Sequence, residues 1–568
     1  MRLFFLPGKE RDKNREKTSP HLTGRTFRGI LIRFFFNKGP FRFRKGTANN
    51  KQRGATMKWL NAESSAMLLY FGVVIAVGIY FYIRGRKSGS GEKEYFLGGR
   101  DMNAWVSALS AGASDMSAWV LMGLPGAIYM AGLSKIWISV GLLIGTVLAW
   151  ITIAPKLRRY SICAKDSITI PQFLANRFLS SNKTIQIVSA VVFMVTYCVY
   201  AAASIVACGE LFNTVVGIKK ETAMIIATLV IIVYVFLGGY KAVCWTDFFQ
   251  GLLMLGALMA APVFACLMMR SAGFAKPATT LPAGYFSVMT SSGWTGCKEV
   301  LSGLGWGLGY FGMPHILIRY LSIKSEKEVR KSQIIGCLWI LLILVMASVV
   351  GLLGRGFVGD KLVNSGKELV FIEMVRGSFT WLGGKLGIAV AASFAAGILL
   401  SAILAASMST ADSQLLASSS AFASDIYKPI FRKNATDKEM LWAGRVIVVI
   451  IAVIAFLIAN APDCKGIMAL VECAWGAFGA AFGPVIILAL YWKRLTYKGA
   501  VCGIVAGFLV DALWYAFLSK IGIYEIIPGF IAGLIAAWIV SLLDKAPSAE
   551  VVELFEKTRT PAAEPEQK

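Results

Sequence analysis

One apolar stretch of this 568-residue chain carries a carboxylate where a membrane helix would normally have none. It runs over residues 107–132 and is long enough to cross a bilayer, yet Asp115 lies near its middle among small residues. An ionised Asp at that depth costs about 2.5–3.5 kcal/mol, so a chain that retains one usually uses it in an ion or proton path. Pro125 and Gly126 follow, and we expect the helix to unwind and turn backbone carbonyls toward a bound cation. The stretch is interpreted as half of an ion site.

A second polar cluster lies in the apolar sequence GILLSAILAASMSTADSQLLASSSA, which contains Ser407, Ser409 and Thr410. A helical turn back from Ser409 brings the backbone of Ala406 onto the same face. Hydroxyl and carbonyl oxygens are the donors that hard cations prefer, and they bind without burying a second full charge. Small residues also simply allow membrane helices to pack closely, and taken alone the cluster favours that explanation. Together with Asp115 it favours the other half of a cation site.

The composition sets the class of protein that must position these groups. Hydrophobic residues make up 56% of the chain and charged residues only 16%, which predicts an all-α, multi-pass membrane protein. The ten cysteines are scattered singly, and the two histidines are His21 and His315, so no disulfide framework or His-rich metal site is predicted. The sequence has no catalytic nucleophile motif, metal cage or phosphate loop, so we predict neither an enzyme nor an organic cofactor.

The apolar runs predict about thirteen transmembrane helices. They lie near residues 62–83, 103–131, 136–155, 184–214, 222–238, 246–269, 299–318, 333–354, 386–411, 441–460, 466–491, 499–519 and 527–543. Lys and Arg are concentrated in alternate connections, which predicts an outside N-terminus and an inside C-terminus. In this arrangement residues 355–385 form an outer loop, and residues 546–568 form a cytoplasmic tail.

Residues 1–56 form a strongly basic leading arm with 15 Lys/Arg against 3 Asp/Glu, within a net charge of +26 for the chain. The arm lacks the uncharged apolar core of a signal peptide. It is either a segment that lies on anionic lipid or an extension upstream of the true start. Met57 begins an ordinary transporter-like N-terminus, which favours the second explanation and assigns residues 57–545 to the membrane domain.

Breaks in two predicted spans indicate an internal repeat. The second span is interrupted at its Asp, and the seventh carries several glycines followed by Pro314. Two broken spans in matching positions of inverted halves are the best sequence indication of a transporter's central site. We therefore expect a five-plus-five inverted-repeat core, with repeats at about 103–270 and 299–491.

Five blocks of the chain, from Met57 to the tail, resemble the sodium:solute symporter family, and in particular its bacterial proline transporters. They are YFLGGRDMNAW, AGASDMSAWVLMGLPGA, GGYKAVCWTDFFQG, WGLGYFGMPHILIRY and SAILAASMSTADSQLL. The resemblance implies a leucine-transporter-like fold in the bacterial cytoplasmic (inner) membrane. It also implies import of a small solute, L-proline, driven by sodium as the coupling ion.

The resemblance also implies residue roles. The sodium site falls on the carbonyls of Ala113 and Met116 together with Ala406, Ser409 and Thr410, with Asp115 supporting it. The solute pocket falls on Tyr200, Trp306, Tyr310 and Pro314. Arg100 and Asp247 lie where the family keeps charged residues, and we expect them to act in gating or inner-loop structure.

The sequence departs from the proline transporters at Ala118, where Gly is common, and at Met313, where Gln is usual. Either change could alter affinity or solute choice, which leaves a sodium-coupled importer of another small organic solute as the alternative. A transporter-like sensor is less expected because the tail after Lys545 is far too short for a signalling domain. A channel is less expected because the polar groups cluster at one depth.

Overall fold

The computed structural model describes residues 61–87, 92–271, 281–363 and 366–559, and the basic leading arm lies outside these residues. The described residues are almost entirely helical. The α-helices, in chain order, are α1 Ala62–Lys87, α2 Glu92–Leu97, α3 Ala104–Asp115, α4 Leu124–Ala131, α5 Ile136–Leu148, α6 Ala154–Cys163, α7 Ile170–Arg177, α8 Thr184–Val216, α9 Lys220–Ser271, α10 Gly293–Gly305, α11 Pro314–Ser322, α12 Glu326–Val358, α13 Val370–Leu386, α14 Ala389–Ala421, α15 Asp437–Ala459, α16 Ile467–Tyr491, α17 Tyr497–Leu513, α18 Ile526–Leu543 and α19 Ala549–Lys557.

Ten helical segments of the described residues are long and apolar enough to cross a membrane. The predicted spans at 103–131 and 299–318 both contain breaks, and their first helices, α3 and α10, are only 12 and 13 residues long. The all-α membrane class is thus confirmed, whereas the number thirteen stays a prediction.

The break in the first of these spans lies at Met116 and Ser117, directly after Asp115. This position agrees with the prediction that the span is interrupted at its Asp. Pro125 and Gly126, which were expected to help the helix unwind, lie inside α4 and not in the break. A π-helical turn, Trp119–Gly123, precedes α4, and the amide of Leu124 donates to the carbonyl of Trp119. This wider turn leads into Pro125 near the start of α4, where its missing N–H removes no hydrogen bond that the helix needs.

The second broken span unwinds in steps. After α10 the chain tightens into a 3₁₀ segment, Trp306–Phe311, and then leaves helical geometry at Met313, whose ψ is 109°. Gly312 lies against the backbone of α16, where an added Cβ would be 2.5 Å from the carbonyl oxygen of Phe478. Pro314 then begins α11 with its preset φ.

Glycines also bring α5 against the 3₁₀ segment. A Cβ on Gly145 would lie 2.2 Å from the carbonyl oxygen of Gly307, so only glycine allows the two backbones to approach this closely. Near the opposite end of the second broken span, the amide of Met102 donates to the carbonyl of Ser322 at 3.2 Å. The two broken spans are therefore held beside each other where α3 begins and α11 ends.

Three connections differ from the sequence-based boundaries. The break between the two helical parts of α9 is a kink at Gly239, and not at residue 241. The φ of 60° and ψ of −174° of Gly239 are accessible essentially only to glycine. The predicted outer loop 355–385 contains the 17-residue helix α13. The tail contains α19, whose Phe555 is buried with the guanidinium of Arg177 5.1 Å from its ring. Each of these segments is short or amphipathic, so an average hydropathy does not reveal it.

Candidate functional site

Asp115 is the last helical residue before the first break, and it is fully buried. Its carboxylate accepts a hydrogen bond from the hydroxyl of Tyr310, in the second broken span. Its backbone carbonyl accepts from the hydroxyl of Tyr200 at 3.3 Å and from the indole of Trp119 at 3.2 Å. The second carboxylate oxygen is buried without a hydrogen-bond partner. Asp115 therefore joins the two breaks and retains one free acceptor.

The residues predicted to bind sodium lie beside this break. The hydroxyl of Ser409 donates to the carbonyl of Ala113 at 2.8 Å and to the carbonyl of Ala406 at 3.2 Å, so three of the predicted oxygens converge. The hydroxyl of Thr410 is buried without a hydrogen-bond partner. Met116 has non-helical backbone angles, φ −78° and ψ 71°. The oxygens are of the type that hard cations prefer, and the unpartnered hydroxyl has capacity for a ligand.

A cluster of aromatic rings lies on one side of Asp115. The ring of Trp306 is centred 5.9 Å from that of Trp119, 6.4 Å from that of Trp475 and 5.2 Å from that of Tyr524. The ring of Tyr310 meets Trp475 edge to face at 5.3 Å, and the indole of Trp475 donates to the carbonyl of Trp306 at 2.7 Å. We call Trp119, Trp306, Tyr310, Trp475 and Tyr524 the aromatic layer.

The remaining predicted pocket residues border this layer. Tyr200 is fully buried and meets the imidazole of His315 edge to face at 6.1 Å. The hydroxyl of Tyr197 accepts from the backbone amide of His315 at 3.1 Å, and it lies 3.2 Å from a ring nitrogen of that residue. His315 therefore packs against the pocket tyrosines. Pro314 is the first residue of α11. It is buried and directly follows the break in the second broken span.

A network of charged groups lies on the other side of Asp115. Arg319 pairs with Asp247 at 3.1 Å, and the hydroxyl of Ser110 donates to the same carboxylate oxygen at 2.6 Å. Arg319 also donates to the hydroxyls of Ser110 and Ser413 and to the carbonyl of His315. Asp412 accepts from Ser413 at 3.3 Å. We call Ser110, Asp247, Arg319, Asp412 and Ser413 the ionic layer. It ties together α3, α9, α11 and α14.

Arg100 and Asp247, which were predicted to act in gating or inner-loop structure, lie in two different parts of the structure. Asp247 is a fully buried member of the ionic layer. Arg100 pairs with Asp166 at 2.9 Å and donates to the carbonyls of Leu321 and Ser167 at 2.6 and 2.7 Å. It thereby fixes the connection before α3 to the end of α11. Burial lowers the pKa of the Arg100 guanidinium, and Asp166 opposes that change.

Several residues of the two layers were not singled out from the sequence. Trp119, Arg319 and Asp412 lie inside the sequence blocks quoted above, whereas Trp475 and Tyr524 come from two other parts of the chain. A buried Arg within an apolar span needs a carboxylate partner, and this signal could have identified Arg319. Nothing in the local sequence distinguishes Trp475 from a tryptophan that faces lipid.

The sequence comparisons agree on one group of proteins. The family model described as "Sodium:solute symporter family" matches residues 95–507. The "Sodium/proline symporter" of Escherichia coli (strain K12) is 39% identical over 500 residues, covering 87% of this chain and 96% of that protein. The "High-affinity proline transporter PutP" of Bacillus subtilis (strain 168) is 39% identical over 485 residues, covering 85% of this chain and 98% of that protein.

A comparison with solved structures supports the fold. A Na⁺-coupled sialic acid symporter, solved in a substrate-bound outward-open state, superposes with a TM-score of 0.70. The match covers 86% of this chain and 100% of that chain at 20% sequence identity. At this identity the likeness shows that the two chains share a helical transporter fold.

Proposed function

This chain belongs to the sodium:solute symporter family, and on that premise we propose that it imports L-proline together with sodium by alternating access. It is a multi-pass membrane transporter, and proline transport is the activity named for its relatives at about 39% identity over most of the chain. One structural observation carries the coupling. Residues 113–119 contribute a carbonyl to the group around Ser409 and also contact Tyr200, Tyr310 and Trp306, so ion and solute would share one unwound segment.

The proposed sodium site uses the carbonyls of Ala113, Met116 and Ala406 with the hydroxyls of Ser409 and Thr410. Sodium would replace the hydrogen bonds that Ser409 now donates to the two alanine carbonyls, since a hydroxyl can turn its lone pairs toward a cation. Asp115 supports the site through its charge in a region of low dielectric. Sodium is transported here and is not a resident cofactor.

The proposed solute pocket lies between Tyr200 and the aromatic layer, with Trp306, Tyr310 and Pro314 at its wall. A flat pyrrolidine ring stacks well on indole and phenol faces. The unwound helix ends at Met116 and Met313 direct backbone groups toward the polar atoms of the solute. The hydroxyl of Tyr310, which bonds to Asp115, links the solute wall to the ion site.

The finer architecture is part of the proposal. We assign thirteen transmembrane helices, a five-plus-five inverted-repeat core at about 103–270 and 299–491, and an outside N-terminus with an inside C-terminus. The aromatic layer then faces outside and the ionic layer faces the cytoplasm of a bacterium, across its inner membrane. Residues 1–56 form an extension that transport does not require, and 546–568 form the cytoplasmic tail.

A solute other than proline is the alternative substrate, because the sequence departs from the proline transporters at two positions. Met313 is buried with a thioether, which provides no amide donor or acceptor next to Pro314. Ala118 is fully buried beside Trp119, where its methyl group takes space that glycine would leave open. Both could favour a related organic solute over proline.

Uptake by purified full-length protein in proteoliposomes tests the proposal. Labelled L-proline should enter when a sodium gradient is imposed and should not enter with an equal potassium gradient. Unlabelled proline should compete better than open-chain amino acids, because these cannot fill a flat slot. If sodium drives uptake of another solute but not of proline, the assignment to the family stands and the assignment of proline as the substrate is wrong. An absence of sodium dependence with every solute would overturn the coupling.

A further inference from the structure

A third group of charged residues lies outside both layers, where α17 and α18 pack on α16. Asp511 of α17 and Glu525, which precedes α18, meet at Gly476. A Cβ on Gly476 would lie 2.7 Å from a carboxylate oxygen of Asp511 and 3.3 Å from Cγ of Glu525. The two acidic side chains thus lie side by side across a glycine that has no side chain to separate them.

Both acidic side chains are removed from water and incompletely satisfied. Asp511 is 2% exposed and Glu525 is 5% exposed, and one carboxylate oxygen of each is buried without a hydrogen-bond partner. A buried carboxylate normally has a cation or several donors beside it, because desolvation disfavours its charged form. Neither member of this pair makes a salt bridge in the described part of the chain.

The surrounding groups do not supply the missing positive charge. The charged and titratable groups that face the pair are Glu472 and Cys473 on α16, Tyr515 after α17, Tyr524 beside Glu525, and the ammonium group of Lys465. The ammonium group of Lys135 lies near Glu472. Lys465 donates to the hydroxyl of Tyr515 at 2.7 Å, and Lys135 pairs with Glu299 at 3.4 Å. Each cation is engaged elsewhere, and Glu472 adds a third negative charge.

We propose that Asp511 and Glu525 form a proton-binding site, in which one carboxyl group keeps its proton at neutral pH and shares it with the other. Two adjacent carboxylates in a buried setting cannot both ionise without strong repulsion, and one proton removes a charge while supplying a donor for an unpartnered oxygen. Burial raises the pKa of the Glu525 carboxyl to about 8; Glu472 acts in the same direction, and Lys465 opposes the change without reversing it.

The position of the pair connects the proton to the aromatic layer. Gly476 follows Trp475 in the chain, and Glu525 follows Tyr524. Both aromatic residues contact the ring of Trp306. Loss of the proton would make α17 and the start of α18 repel each other at Gly476, and this would disturb two walls of the layer. The site would therefore weaken solute binding as the pH rises.

The full-length protein with Asp511→Asn tests the inference, because the amide keeps the shape and a donor while it removes one titrating group. Asp544→Asn is the matched control, since Asp544 is a single acid at the other end of α18, paired with Lys498 at 3.1 Å. Two quantities are measured from about pH 6 to about pH 9: the thermal unfolding midpoint in detergent, and the KM for L-proline in proteoliposomes with equal pH on both sides.

The sign follows from proton linkage. Above about pH 4 the unfolded chain releases protons that the folded pair retains, so the wild-type midpoint should fall as the pH rises toward about 8. This fall of the midpoint with pH should be clearly smaller in Asp511→Asn than in the wild type. In Asp544→Asn it should be as large as in the wild type. The KM should rise about fivefold across the range in the wild type and less than about twofold in Asp511→Asn.

The unfolding measurement needs no transport, so it separates this inference from the proposed function. An identical pH dependence of the midpoint in Asp511→Asn and the wild type would overturn the proton site. A midpoint that responds to sodium or potassium concentration and not to pH, with a response that is lost in Asp511→Asn, would also overturn it by showing that the pair holds a metal ion. The response of the proposed sodium site at Ser409 would remain in that variant. Should Asp511→Asn fail to fold, Glu525→Gln removes the other titrating group and must flatten the same dependence.

Discussion

The two layers that flank Asp115 differ in the kind of interaction that holds their residues together. The aromatic layer is held by ring contacts at 5.2–6.4 Å between residues of four separate segments, with one indole hydrogen bond between Trp475 and Trp306. The ionic layer is held by an Arg–carboxylate pair and five further hydrogen bonds among fully buried groups. The contacts in the aromatic layer are therefore weakly directional, and those in the ionic layer are strongly directional.

This difference indicates how each side would respond to a bound ion or solute. Aromatic rings can slide and retilt with little change in energy, so a solute can be admitted among them by small rearrangements. A buried charge pair has no comparable intermediate, because separating its members leaves both desolvated and unpaired. We therefore expect the ionic layer to act as a two-state closure and the aromatic layer as an adjustable pocket.

The largest effect is expected in the ionic layer. Arg319→Gln leaves Asp247 buried near Asp412 without its cation, and breaking a buried pair from one side costs about 3–5 kcal/mol. The measurement is the thermal unfolding midpoint together with the amount of folded protein in the membrane. The double variant Arg319→Gln/Asp247→Asn should recover part of the loss. Full stability of the single variant would show that the pair is not a closure.

Asp115→Asn should have the next largest effect, on sodium activation. The change removes the charge that supports the cation in a low-dielectric site, so the sodium concentration for half-maximal uptake should rise at least about tenfold. Apparent proline affinity at low sodium should fall as well, because the linkage between the two ligands is reciprocal. Unaltered sodium activation in initial-rate uptake assays would place the ion elsewhere.

Trp306→Ala tests the aromatic layer. Loss of one stacked wall and its buried area should raise the KM for proline about tenfold, with a smaller change in sodium activation. Tyr310→Phe is the matched comparison, since it retains the ring that meets Trp475 and removes the hydroxyl that bonds to Asp115. Its effect should appear mainly in sodium activation. The opposite pattern in the two variants would reverse the roles assigned to these residues.

Thr410→Ala should be milder than Asp115→Asn. It removes one hydroxyl ligand and leaves the carbonyls of Ala113 and Ala406 in place, so we expect an increase of about threefold in the sodium requirement. Saturating sodium should restore most of the proline affinity. Ser407→Ala, one residue outside the proposed ligand set, is the control. Equal effects of the two substitutions would remove Thr410 from the site.

Deletion of residues 1–56 should have the smallest effect. With an outside N-terminus, the arm would place a basic segment on the side disfavoured for Lys and Arg. A chain that starts at Met57 should transport proline at the full-length rate when compared at equal membrane abundance. Reduced uptake at equal abundance would give the arm a function.

The sequence by itself determined the class of the protein and the two places where its helices break. A composition with 56% hydrophobic residues leaves a multi-pass helical bundle as the physically consistent arrangement. Asp115 and the glycines before Pro314 violate local rules for membrane helices, and such violations mark functional positions. The first break lies directly after Asp115, as the sequence predicts, whereas Pro125 and Gly126 remain helical because a π-helical turn accommodates Pro125.

Only the tertiary structure decided which distant side chains surround those breaks. Trp475 and Tyr524 join Trp306 because α16 and the segment before α18 pack on the 3₁₀ segment, through glycine contacts that no local pattern encodes. Likewise Asp247 and Arg319 meet because α9 and α11 both pack on α3. Periodicity specifies the face of one helix, whereas the partners of that face depend on long-range packing. For that reason the broken helices were predictable and the two layers were not.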